Sequence, residues 1–316
     1  MALSTDLLET IACPLCSSSE GDIVRTSQYH AGITVEELKT LYSASYSASS
    51  AHVLMDQVVR CRSCSLVYVN PRPDPELILS SYSEAEDPTF VAQNGDRIKT
   101  FRRTIRRVLR GIGKTSGDGM RLLDIGCAGG AFLVAARDAG FEATGIEPSR
   151  WMADFGRSTY RLNIIDGILR PHMFPAGTFD IVTLWDVIEH VPDPHELLTL
   201  IYTLLKPGGW LVVNYPDIGT VAARMLGRRW PFWLSVHLLY YTRDTMQRQL
   251  KRACFEPKRL ETFWQTLPLG YVVRRAAAYI RPLALLTPVL DALRLSGLAC
   301  TYNMGQTLVI SQRSGH

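Results

Sequence analysis

The middle and end of the chain alternate between short, nearly continuous apolar runs and longer stretches with helical spacing. RLLDIG, FEATGIEPS, LNIIDG, FDIVTLWDVIEHV and WLVVNYPD have the length of buried strands. AFLVAARDAG, SRWMADFGRSTY and PHELLTLIYTLLKPGG fill the gaps with helix-like patterns. This alternation predicts an α/β fold with a mostly parallel sheet, helices on its faces and ligands outside the carboxyl ends of its strands. LKPGG closes a helix with a glycine pair and feeds directly into WLVVNYP. GYVVRRAAAY and TYNMGQTLVISQR read as late strands, an antiparallel pair closing the sheet edge. Ahead of the alternating part, RIKTFRRTIRRVLR spaces Ile98, Phe101, Ile105, Val108 and Leu109 as one face of a helix, with the arginines largely elsewhere. Such a helix lies on the sheet with its charged face in solvent.

The first ninety residues have a different pattern. ACPLC and RCRSC each set two cysteines around a tight turn, and Cys13, Cys16, Cys61 and Cys64 would complete a closed tetrahedral zinc shell. A closed shell implies a structural role. The plain alternative, four reduced core cysteines, does not account for two matched CxxC spacings. The Ser/Tyr-rich TLYSASYSASSAH between the pairs reads as partly irregular, and His30 and His52 as surface or loop residues. YVNPRPDPELILSSY reads as a connection stiffened by prolines.

At 316 residues the chain has room for two or three units. Seven cysteines, odd in number and clustered as CxxC, point to a reducing compartment and a metal, hence a cytoplasmic expectation. MALSTDLLETIACPLC has no basic region followed by a sustained apolar core, so no signal peptide is expected. AAAYIRPLALLTPVLDALRLSGLA is broken by Arg281, Pro282, Pro288, Asp291 and Arg294, which predicts a packed hairpin or substrate cap, with lipid-surface contact the lesser alternative and no transmembrane span. Met225, Met246, AAAYI and LALLTPVL are expected in the core. The net charge of +4 says little about partners, and the basic helix lacks a matching aromatic platform, so no nucleic-acid partner is expected.

LLDIGCAGG, residues 122–130, joins a strand to a helix through a glycine turn. A dinucleotide turn of the GxGxxG kind would have glycine where Ala128 stands, and Asp124 just before the turn would repel a pyrophosphate. Glu147, about 20 residues on, ends the next run where a carboxylate can accept both ribose hydroxyls. S-adenosylmethionine, with ribose hydroxyls, a cationic amine, a sulfonium and no phosphate, suits an acid-lined turn better than NAD.

LLDIGCAGGAFL, ATGIEPS, FDIVTLWDVIEHVPDPHELL, LLKPGGWLVV and HLLYYTRDTMQRQLKRACF together resemble the class I S-adenosylmethionine-dependent methyltransferases, especially the group of ubiquinone-biosynthesis-type small-molecule O-methyltransferases. The paired CxxC knuckles resemble its zinc-ribbon-bearing members. The resemblance implies a Rossmann-like seven-stranded sheet with a helical cap insertion, divided as a zinc-binding segment and linker over 1–90, a cofactor core over 91–215, and a cap with the last strands over 216–316. It implies that Asp124 contacts the methionine part of the cofactor, that Gly126, Cys127 and Gly130 form its loop, and that Glu147, followed by Pro148, holds the ribose. Ala128 departs from the middle glycine of the DxGxGxG pattern, which implies a slightly altered loop. Asp166 or the backbone at Gly167 would meet the adenine amine, and Trp185 and Asp186 would line the methyl-transfer mouth.

Methyl transfer from a sulfonium mainly requires alignment and exclusion of water, with a general base where the nucleophile starts protonated. His190 and His237 are the candidate bases, each with a structural role as its alternative. Trp230, Phe232, Trp233, Tyr240 and Tyr241 could line an acceptor pocket or pack the cap on the sheet. The leading expectation is an enzyme that methylates O, N or C of a small molecule. The alternatives are an RNA or protein methyltransferase gripping its substrate through the zinc segment, and a non-catalytic zinc-dependent scaffold. The acceptor and the oligomeric state are not legible.

Overall fold

A computed structural model of the chain describes residues 8–29, 34, 37, 40, 41, 54–277 and 281–315. His30, His52 and most of TLYSASYSASSAH lie outside the described residues.

The cysteine-bearing part forms strands β1 (Gly21–Arg25), β2 (Val58–Cys61) and β3 (Val67–Val69), followed by helix α1 (Pro75–Ser83). The long basic helix is α2 (Asn94–Gly111). Then come β4 (Arg121–Ile125), α3 (Ala131–Asp138), β5 (Glu142–Glu147), α4 (Arg150–Tyr160), β6 (Asn163–Asp166), β7 (Phe179–Trp185), α5 (Pro194–Leu204) and β8 (Leu205–Pro216). The last part adds β9 (Leu239–Tyr240), α6 (Arg243–Arg252), β10 (Phe255–Thr262), β11 (Gln265–Pro268), α7 (Leu269–Ala277), β12 (Ala299–Tyr302) and β13 (Gln306–Arg313).

Seven strands make the central sheet in the order β10-β13-β8-β7-β4-β5-β6. The strands from β8 through β6 are parallel, and β13 runs antiparallel to both β8 and β10. The period-two geometry of a strand explains why these runs are apolar throughout, because both sheet faces are covered. In β4, Leu123 and Ile125 point into one core with Val182, Leu184 and Leu198, while Leu122 points into the other with Ile105, Val108, Phe132 and Ile181. Truncating such a buried leucine to alanine costs about 2–5 kcal/mol.

Local signals set the helix starts. Asp74, Ser149 and Asp193 each accept a hydrogen bond from the first turn of α1, α4 and α5, and Pro75 and Pro194 open their helices where no N–H is needed.

Strand β9 pairs antiparallel with β3, so residues just after His237 complete a four-stranded sheet, β9-β3-β2-β1, with the cysteine-bearing strands. Trp230, Trp233 and Tyr240 fill the space there with Leu54, Val58, Val67 and Val69, and Tyr241 is buried in the main core. Of the five cap aromatics only Phe232 reaches the large cavity described below.

Three expectations are corrected. GYVVRRAAAY is not a strand, and its described part falls in α7. Tyr271, Val272, Arg275 and Ala276 share one helical face toward the cavity, a spacing that a short apolar run does not reveal on its own. The antiparallel partners of β13 are β8 and β10 instead. ELILSSY, read as the end of a proline-stiffened connection, forms helix α1. Met246 is in the core, but Met225 is 82% exposed, and Leu285, Leu286 and Val289 of LALLTPVL are exposed as well. Among the described residues no helix is long and apolar enough to cross a membrane.

Candidate functional site

Strand β4 ends in the glycine turn that starts α3. Gly126, Ala128 and Gly130 all have positive φ, at 71°, 45° and 78°. A side chain at Gly126 would come within 2.6 Å of Val187 Cγ2, and one at Gly130 would run into Leu162. Glycine is therefore required at both on two counts. Ala128 takes the left-handed conformation at a cost of about 1 kcal/mol. Its N–H donates to Glu147 Oε2 at 2.7 Å, so the turn is tied to the end of the neighbouring strand.

Two carboxylates stand at the tips of adjacent parallel strands. Asp124 is 1% exposed and accepts from the Thr183 hydroxyl at 2.6 Å. Glu147 accepts from the Ser149 N–H at 2.9 Å on its other oxygen. Burial drives the Asp124 carboxyl well above its usual range, with the nearby Glu147 charge adding to the rise. Burial raises Glu147 to about 7 against the backbone hydrogen bonds it accepts. Among the described residues neither carboxylate has an ion pair. Both line a cavity of about 900 Å³, at the upper end of the ~300–1,000 Å³ common for small-molecule sites.

The same cavity is lined by Gly126, Cys127, Pro148, Gly167, Trp185 and Asp186. Gly130 sits just behind the lining as the first residue before α3. Asp166 is not in the lining, and its carboxylate meets Arg157 at 2.5 Å. Trp185 packs against Phe101, Phe132 and Phe263 with ring centroids 5.1, 4.8 and 5.8 Å away. Asp186 accepts from Asn214 and Gln306, both at 2.7 Å, and burial raises it to about 6.

On the far side of the cavity His190 and His237 approach edge to face, 4.8 Å between ring centroids. His190 Nδ1 lies 2.8 Å from the Val236 carbonyl and 2.7 Å from the Tyr82 hydroxyl, and His237 Nδ1 lies 2.8 Å from the Phe232 carbonyl. A carbonyl can only accept, which assigns the hydrogen to Nδ1 in both rings. Burial lowers His190 to about 4 and His237 well below its usual value.

The four cysteines sit outside the cavity. Cys13 Sγ is 3.5 Å from Cys64 Sγ, and Cys16 Sγ is 3.5 Å from Cys61 Sγ; all four sulfurs fall within 4.8 Å of one another. The two knuckles match in backbone form. Ser17 and Ser65 have positive φ, and their N–H groups donate to the carbonyls of Cys13 and Cys61 at 2.8 and 3.0 Å. Zinc–sulfur bonds of about 2.3 Å put tetrahedral sulfurs about 3.8 Å apart. The cluster is thus able to chelate a metal ion.

The family described as a methyltransferase domain matches residues 96–258, from α2 into β10, more than half of the chain. The chain belongs to the methyltransferase-domain family. Among curated proteins it is 34% identical over 102 residues to the "Ubiquinone biosynthesis O-methyltransferase" of Bordetella avium, covering 29% of this chain and 41% of that protein. It is 37% identical over 112 residues to the protein of the same name from Caulobacter sp., covering 33% and 43%. The chain therefore spans less than half the length of these relatives. Among solved structures, a SAM dependent methyltransferase from Archaeoglobus fulgidus has TM-score 0.48 and 18% identity, covering 72% of this chain and all (100%) of that one.

Several cavity residues were not legible beforehand. Tyr82 lies in the stretch read as a connection, and nothing in its sequence distinguishes it. Arg97 was one of many basic residues on α2, yet Asn94, Arg97 and Phe101 follow one another at helical spacing and all face the cavity. That spacing was the available signal. Glu189 was hidden beside the more conspicuous His190.

Proposed function

We propose that the chain is an S-adenosylmethionine-dependent methyltransferase acting on an O, N or C nucleophile of a small molecule. The observation that carries this reading is the pair Asp124 and Glu147, buried at neighbouring strand tips, facing one cavity and lacking a cationic partner among the described residues. Two such carboxylates need a ligand that brings positive charge and hydroxyl donors. The cofactor's ammonium and sulfonium supply the charge and its ribose the hydroxyls; when bound it presents an activated methyl group.

In this reading Asp124 holds the amino-acid end. Glu147 accepts the ribose hydroxyls on lone pairs left over from its two backbone contacts, and Pro148, Cys127 and Gly126 shape the floor. The adenine edge rests against the backbone at Gly167, since the Asp166 carboxylate is engaged by Arg157. Trp185 and Asp186 form the passage to the acceptor half, bounded by α1, α7, Phe232 and the two histidines. The apolar walls keep water from the reacting atoms. The neutral imidazoles accept or order the nucleophile's proton. The four cysteines hold a structural Zn²⁺ that fixes β1, β2, β3 and β9.

Calorimetry with S-adenosylhomocysteine on the full chain tests the proposal. Binding is expected, with a large loss for Glu147→Ala and Asp124→Asn and no competition from NAD. A folded, metal-loaded protein that does not bind the nucleoside overturns it.

A further inference from the structure

Beside the two histidines the acceptor half contains a buried carboxylate, Glu189, for which methyl transfer as proposed above has no use. Glu189 lies in the single 3-10 turn Ile188–His190 that follows β7, 1% exposed, and neither of its carboxylate oxygens has a hydrogen-bond partner. His190 Nε2 stands 3.9 Å from Glu189 Oε1. Ligand atoms of Glu189, His190 and His237 all lie within 4.8 Å of one another, and all three residues line the cavity.

Both imidazoles have Nδ1 against a backbone carbonyl, so each turns the lone pair of Nε2 the other way. His190 Nε2 and a buried carboxylate thus face each other as acceptors, and a ring nitrogen of His237 lies within 4.8 Å of both ligand atoms. Left alone, this arrangement is repulsive and poorly solvated. A cation at the centre removes both costs. The carbonyl contacts at Nδ1 are also what orients histidine as a metal ligand, fixing the tautomer and the ring plane.

We propose that Glu189, His190 and His237 form a second metal site, separate from the four cysteines, for a divalent transition-metal ion. Two imidazoles and one carboxylate suit Zn²⁺, Fe²⁺, Mn²⁺ or Co²⁺ better than Mg²⁺ or Ca²⁺, which prefer oxygen ligands. Three protein ligands leave coordination positions open, and all three residues line the cavity. Donors around one ion with bonds of about 2.0–2.1 Å sit about 3.3 Å apart in tetrahedral geometry, so the three side chains draw slightly together on loading. The acceptor class follows: a molecule whose oxygens ligate the ion, such as a hydroxyl with a neighbouring oxygen, which is thereby oriented and made more acidic.

This inference rests on the methyltransferase reading only for the identity of the acceptor half; the metal site itself is tested separately. Full-length protein, stripped of metal under reducing conditions, is titrated with Co²⁺ and followed by visible absorption, with metal content measured independently. Two equivalents are expected, one with the intense sulfur charge-transfer bands of thiolate ligation and one with weak nitrogen/oxygen-ligand bands. Glu189→Gln and His237→Gln each weaken the second equivalent by about 100-fold or more and leave the first in place. S-adenosylhomocysteine binding to these variants, measured in parallel, reports on the cofactor half. Its absence in wild-type protein would defeat the methyltransferase reading without touching the metal count. A wild-type titration that stops at one thiolate-ligated equivalent overturns the second site, leaving a water or a shared proton as the occupant. A second equivalent insensitive to both substitutions overturns it equally.

Discussion

The phenol oxygen of Tyr82 and Nδ1 of His190 meet at 2.7 Å although 108 residues separate them in the chain. Through this contact α1, from the N-terminal part, closes over the histidine-lined part of a cavity whose other part belongs to the central sheet. Tyr82→Phe keeps the ring and removes the oxygen. The Nδ1 hydrogen still has the Val236 carbonyl, so His190 remains in place, and the loss of this hydrogen bond costs about 1 kcal/mol. Chemical denaturation checks this, and an unchanged midpoint would show that the contact contributes nothing.

The raised Glu147 carboxyl makes ligand-free stability depend on pH. Its folded-state value of about 7 lies above the ordinary 4.5, so the folded state binds the proton more tightly than the unfolded chain. That contribution is full below about 4.5 and lost as pH rises through about 7, roughly 3 kcal/mol in all. Asp186 shifts in the same direction, so the test is a difference: melting temperature against pH for wild type minus Glu147→Gln. The amide can accept from only one of the two N–H donors, which lowers stability overall but removes the Glu147 share of the slope between pH 5 and 8. Parallel curves for the two proteins would refute the assignment.

Nucleoside binding is linked to the same group. Hydroxyls donating to Glu147 favour its ionised form, so S-adenosylhomocysteine binds more tightly as pH rises toward 7, with proton release below it. Calorimetry in buffers of different ionisation enthalpy counts the protons, and no release at pH 6 contradicts the prediction.

Ala128 keeps the glycine turn in a left-handed conformation that alanine resists. Ala128→Gly relieves this strain, partly offset by the greater freedom of glycine in the unfolded chain, for a net gain of up to about 1 kcal/mol with nucleoside affinity preserved. Thermal unfolding would show the gain. A loss instead would mean that the alanine methyl packs usefully.

Metal at the four cysteines should matter beyond the first ninety residues. Cys61→Ser or chelation loosens β2 and β3, and because β9 pairs with β3, the strand that follows His237 loosens with them. Hydrogen exchange should rise through Leu239 and Tyr240 while β4, β5 and β7 stay protected and the nucleoside still binds. Immediate loss of nucleoside binding on chelation would show the two halves to be one cooperative unit.

Apolar periodicity was enough to place the central strands and their helices, because a strand covered on both faces must be apolar throughout and few other elements are. The matched CxxC turns, and Asp124 and Glu147 one strand apart, were legible for the same reason: their chemistry is local and depends on short spacings. GYVVRRAAAY misled because ten residues with mixed apolar and basic positions fit either period, and only packing of one face against the cavity makes the described ones, through Ala277, part of α7. The exposed Leu285, Leu286 and Val289 misled because apolar composition does not reveal whether anything covers a segment.

What the sequence determined by itself was the sheet, its glycine turn and the cysteine cluster, each specified by residues close together or by a repeating period. What tertiary structure alone decided was the part of the cavity around the two histidines. Tyr82, Arg97, Glu189, His237 and Tyr271 come from five separate segments and carry no shared pattern; they become one site only when the cysteine-bearing sheet recruits β9 and α1 closes on the turn after β7. Burial then gives these groups their chemistry, since a carboxylate or imidazole has unusual proton affinity only after the folded chain has removed its water.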